Sequence, residues 1–157
     1  MMSKFKSLQL AVDLAAANRD QALADLKKQR QAHAFAQDQM NQLQQYAVET
    51  EQRWTRSAQN STTPELMHHH YQFMGRLQQA VTLQQGVLDG SSRKVDAAQQ
   101  RVLQAEFRLA SLKQVLAKRQ ADLAKVQQRA DQRQMDEFAS IQTLRQVRQK
   151  MENSYEH

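Results

Sequence analysis

The sequence has no cysteine, one proline, three glycines and only 6% aromatic residues. Without cysteine there is no disulfide staple and no thiolate metal site, and nothing opposes a reducing compartment, so the cytoplasm is the default location. With a mean hydropathy of −0.82, the 157 residues are poor material for a thick globular core. Residues that favour sheets are sparse as well. No run approaches the roughly eighteen apolar residues of a membrane span, so membrane contact is expected only through partners. The opening stretch carries Lys4 and Lys6, but Gln9 and Asp13 interrupt the segment from Ser7 to Ala17, and there is no secretory hydrophobic block. A glycine-rich phosphate loop is missing, as is a nucleophile with a base at readable spacing, which argues against an enzyme and against a bound cofactor.

What the chain does have is helix-forming residues in a seven-residue frame. Twenty-eight glutamines and many alanines, with Lys, Arg and Glu, lose little freedom in a helix. From Met67 to Met151, twelve of thirteen positions taken in sevens are apolar, and Glu137 alone breaks the row. An earlier frame runs Phe5, Leu8, Val12, Ala15, Arg19, Ala22, Leu26, Gln29, His33, Ala36, Met40, Leu43, Ala47, Thr50, Trp54, with eleven of fifteen positions apolar. A 3.5-residue repeat keeps one stripe facing a partner helix, the sequence form of a left-handed coiled coil. Arg19, Gln29 and His33 are polar intrusions of the kind that fix register at a cost in stability.

The pattern predicts an all-α fold, a single long two-helix antiparallel coiled coil over 1–157. Its first helix covers about 4–57, its turn 58–63 and its second helix about 64–151. The stretch from Ser57 to Glu65 has the only obvious loop composition, and Thr63 as N-cap with Pro64 at the first helical position and Glu65 behind it is a helix start signal. A short connection between long amphipathic helices favours folding back. Gly86 and Gly90 suggest a kink at 86–92, each glycine costing roughly 1 kcal/mol in a helix interior. The frame does not shift there, so one continuous or bent helix is preferred to two abutting ones. At ~1.5 Å per residue the arms would be about 80 and 130 Å long. Paired outward from the turn, Phe5 falls near Leu116, and the last thirty or so residues of the second helix, with Leu123, Val126, Leu144 and Val147, are left in want of a partner.

Three features invite a chemical reading. The triplet His68, His69, His70 resembles a metal site, but consecutive helical residues point about 100° apart and no carboxylate completes a tetrahedron, so no metal is expected. Packing of the aromatic segment Tyr71, Phe73, Met74 and Leu77 against Trp54 and Tyr46 is the simpler account of this region. Met135, Phe138 and Ile141 recur at three-residue steps, either a local shift of the seam or a docking patch. The net charge of +6 is spread along both helices with acids mixed in and no nucleic-acid motif, the look of a solvated coiled-coil flank, so no nucleic-acid partner is expected.

The run Leu8-Gln9-Leu10-Ala11-Val12-Asp13-Leu14-Ala15, the segment Tyr71 to Val81 and the C-terminal Gln134-Met135-Asp136-Glu137-Phe138-Ala139 resemble the bacterial flagellar export protein FliJ family. The resemblance covers nearly the whole chain, and its Met-Asp-Glu-Phe-Ala run is the most specific part. It implies a non-catalytic component of flagellar type III export, similar in shape to the central stalk of rotary ATPases. By the same resemblance the partners are the hexameric export ATPase, the cytoplasmic domain of the export gate and export chaperones. The location would be cytoplasmic and peripheral at the inner membrane through the export apparatus. Phe73, Leu77 and Ala80 fall where the family's gate-contacting stripe would lie, and Gln84, one turn on, departs from the histidine such a stripe would carry. Candidate ATPase-ring contacts are Met135, Phe138, Ile141 and Leu144, with Arg129, Arg133, Arg145 and Arg148 available for acidic walls. Other readings of the same residues are the equivalent stalk of a virulence type III secretion system and a generic coiled-coil scaffold.

Overall fold

The computed structural model describes residues 3–156; Met1, Met2 and His157 lie outside the described residues. Two helices account for almost all of it, α1 over Lys4–Asn60 and α2 over Pro64–Tyr155, and no strand occurs among the described residues. They pack against each other as a helical hairpin. The chain divides into two compact units, Asp13–Leu109 and Met1–Val12 with Ala110–His157.

Each helix begins with a hydroxyl cap. The Ser3 Oγ accepts a hydrogen bond from the Lys6 amide at 3.2 Å, and the Thr63 Oγ1 accepts one from the Leu66 amide at 3.2 Å. These satisfy two of the amides that a helix start leaves without intrahelical partners. α1 continues to Asn60, three residues past the stop read from composition, and between the two helices only Ser61, Thr62 and Thr63 remain outside helix. Ser57, Ala58, Gln59 and Asn60 carry no proline, so the helix has no steric reason to end before them.

α2 is helical without interruption through Gly86 to Ser92. No glycine adopts a positive φ, so neither Gly86 nor Gly90 acts as a helix stop.

Within Asp13–Leu109 the helices run antiparallel, since cross-helix partners descend on α2 as they ascend on α1. Arg101 pairs with Asp25, Ser91 with His33, Gln84 with the Ala36 carbonyl and His70 with Glu51. The core is a single narrow seam. Ala36, Met40 and Leu88 form one cluster with Val81 against it; Leu26, Ala98 and Val102 form another with Ala22 and Val95. Ala98 is completely buried and Met40 is 2% exposed. A small side chain at Ala36 or Ala98 lets the backbones approach, and the larger neighbours fill the space alongside. All fifteen seam positions predicted on α1, from Phe5 to Trp54, are buried or half-buried.

The polar intrusions are accommodated by specific bonds. The Ser91 Oγ lies between two partners, the Leu88 carbonyl oxygen at 2.9 Å and the His33 Nδ1 at 2.7 Å, so it ties the histidine of α1 to the backbone of α2. Gln29 donates to Asp25, whose other oxygen accepts from Arg101 at 3.1 Å. Arg19 bonds its own neighbour Asp20 rather than crossing the seam.

Candidate functional site

Near the turn, within Asp13–Leu109, His70 and Phe73 of α2 pack on α1, whereas Tyr71, expected to pack there, is 68% exposed. The His70 ring lies flat on Trp54, with centroids 4.3 Å apart and planes 7° from parallel. Its Nε2 reaches the Glu51 carboxylate at 3.1 Å. His68 and His69 are exposed, with ring centroids 6.5 Å apart, and the described residues contain no grouping of three metal-ligating side chains. Phe73 meets Tyr46 edge to face at 6.0 Å, a favoured aromatic geometry.

Phe73, Leu77 and Ala80 divide between surface and seam. Leu77 is 8% exposed and belongs to the core, Ala80 is half-buried, and Phe73 is 37% exposed. Gln84 donates to the Ala36 carbonyl at 2.9 Å and so faces the other helix. A second row was missed by reading only the seam. Leu66, Phe73, Ala80 and Val87 also recur in sevens, one residue before Met67, Met74, Val81 and Leu88. Leu66, Phe73 and Val87 all present surface, and Tyr46 flanks Phe73. Counting the flanking position of the heptad as well as the seam finds this edge.

The second candidate surface lies in the other unit. Phe5, Leu8, Ala11 and Val12 are half-buried there, as are Ser111, Leu112 and Leu116. Beyond Leu116 every described residue is exposed, through Glu156. About 100° of turn per residue gathers Leu123, Val126, Ala130, Ile141, Leu144 and Met151 on one side of α2. Phe138 stands at the margin of that stripe and Met135 well off it. Arg133, Glu137 and Arg148 fall inside it, whereas Arg129 and Arg145 flank it.

Phe138 is 63% exposed, and Met135, Ile141 and Leu144 are similarly open. The four residues are not brought together with any other part of the chain among those described. Shallow hollows along this segment, such as that lined by Lys125, Gln128, Arg129, Asp131 and Gln132, are formed by side chains of the one helix. Among the described residues, no helix is long and apolar enough to cross a membrane.

A family model described as flagellar FliJ protein matches residues 4–148. No match was found among curated proteins or among solved structures. The matched span takes in nearly all of both helices, the aromatic packing near the turn and the exposed stripe as far as Arg148. The chain therefore belongs to the flagellar FliJ family, whose members are components of the flagellar export apparatus.

Proposed function

We propose that this protein is a non-catalytic stalk of flagellar type III export: the exposed segment of α2 enters the centre of the hexameric export ATPase, and the edge near the turn meets the export gate. The observation that carries this reading is the row of exposed seam residues beyond Leu116. A helix bearing leucine, valine and isoleucine on one side and arginines beside them gains stability when a surrounding ring covers the stripe. A single helix, about 10–12 Å across with its side chains, is slim enough to occupy a central opening. Ile141 and Leu144 supply the apolar contact, Phe138 and Met135 widen it, and Arg129 and Arg133 face acidic groups of the ring.

At the turn, Phe73 and Ala80 present the gate contact while Leu77 holds the helix beneath them. The gate's cytoplasmic domain would then tie the protein to the inner membrane, on its cytoplasmic side. Export chaperones are a further partner class that this edge would serve.

The test mixes the purified chain with the hexameric export ATPase and reads central density in the ring together with ATP hydrolysis. Density along the axis and an altered rate are expected; an empty centre with an unchanged rate would overturn the reading. Phe138→Ala should weaken ring binding about tenfold, or about 1.4 kcal/mol, with helicity by circular dichroism unchanged. Phe73→Ala should reduce gate binding and leave ring binding intact, and a loss of both would show a folding defect instead. Leu77→Arg is the poorer probe, because it places a charge in the seam.

A further inference from the structure

The exposed stripe of α2 is complementary to itself in one orientation and one register. We infer that it also binds a second copy of this chain, the two segments lying antiparallel about a two-fold axis, with Arg133 of each copy opposite Glu137 of the other. Both residues lie within the stripe, both are exposed, and neither takes part in an ion pair among the described residues. Within one helix they stand four apart with the arginine first, the weaker order for an intrahelical pair.

The hairpin shows how antiparallel seams of this chain face each other, with His33 opposite Ser91 and Leu26 against Ala98. Paired helices follow the seven-residue frame, which brings Ser140 and Val147 into the seam and turns Arg148 to its edge, so the same geometry, centred on the Arg133–Glu137 pair, sets Leu123 opposite Val147 and Val126 opposite Leu144. Ala130 then meets Ser140, two small residues that let the helices approach. Symmetry makes each of these layers occur twice.

One flank agrees with the seam: Asp122 falls beside Lys150 of the other copy, while Arg129 falls beside Thr143 and Asp136 beside its own symmetry mate.

Other arrangements fail on the same residues. A parallel pair would stack Glu137 on Glu137 and Arg133 on Arg133. A slip of one heptad either way sets Glu137 against Ser140 or Val126, and Arg133 against Leu144 or Ala130, so both charges lose their partners. A charged layer inside an apolar seam adds little stability but selects register strongly.

Sedimentation equilibrium of the whole chain over a concentration series reads the outcome. The mass is expected to rise from 18.2 kDa toward twice that value. Arg133→Glu alone and Glu137→Arg alone should each stay monomeric over the same range, because each sets like charges across the seam. An equimolar mixture of those two variants should regain the dimer, since every layer then pairs opposite charges. The chain has no cysteine, so Ala130→Cys mixed with Ser140→Cys should give an oxidised cross-link that Ala130→Cys alone does not. A wild-type mass of one chain throughout, a trimer or larger, single variants that associate like wild type, or a mixture that stays monomeric would each overturn the proposal.

Discussion

Seams of this width are one or two side chains thick, so each residue in them is felt. Met40 packs with Ala36 and Leu88 and is almost fully enclosed. Met40→Ala should lower the unfolding free energy by about 2 kcal/mol, at the low end for such truncations because a thin seam can partly close on the gap. A fall below a few tenths in a urea titration would show that the cluster is not a core. The His33–Ser91 bond crosses the hairpin at 2.7 Å. A double-mutant cycle with His33→Ala and Ser91→Ala should return about 1 kcal/mol of coupling, and no coupling would remove its role in register. His33 could be marked as a register residue from its place in the frame, whereas its partner could not. Ser91 lies in a stretch that looked like a weak point, and only the fold shows its hydroxyl engaged with the Leu88 carbonyl.

At the scale of the element, the seven-residue frame made the two helices and their buried faces legible before any coordinates. The apolar positions alone decide which side of each helix turns inward. Ends and interruptions were harder, because they depend on single bonds. The Thr63 cap was readable from Thr-Pro-Glu, but composition alone placed the end of α1 before Asn60. Gly86 suggested a kink within one continuous or bent helix; it is helical in α2, and a Cβ built on it meets nothing within 4 Å. Gly86→Ala should therefore raise stability by roughly 1 kcal/mol, through a less flexible unfolded chain and better helix propensity. A lowered melting temperature would mean that the glycine is needed for a close approach or a bend.

On the scale of the molecule, cover is uneven: the seam of Asp13–Leu109 is buried in places, whereas nothing described after Leu116 is. Local stability should vary in the same way. In dilute solution, amides after Leu116 should exchange with solvent fastest and trypsin should cut first at Lys118, Arg119 or Lys125, while amides around Leu26, Met40 and Val102 exchange slowest. Uniform protection along α2 would contradict this. The candidate gate stripe was only partly legible in sequence. Residues at three- and four-residue steps share a face, but which neighbour that face meets depends on how the helices pair, and this placed Leu77 inside and Gln84 on the Ala36 carbonyl. The stripe around Ile141 also serves both proposed associations, so a second copy and the ring would compete for it.

The one tryptophan of the chain rests against an imidazole held by a carboxylate. Stacked aromatic neighbours change the emission of an indole, so Trp54 is an intrinsic optical gauge of whether the hairpin is zipped at its turn. Opening there, by a mutation or by a bound protein, would be visible as a spectral change without attaching any dye.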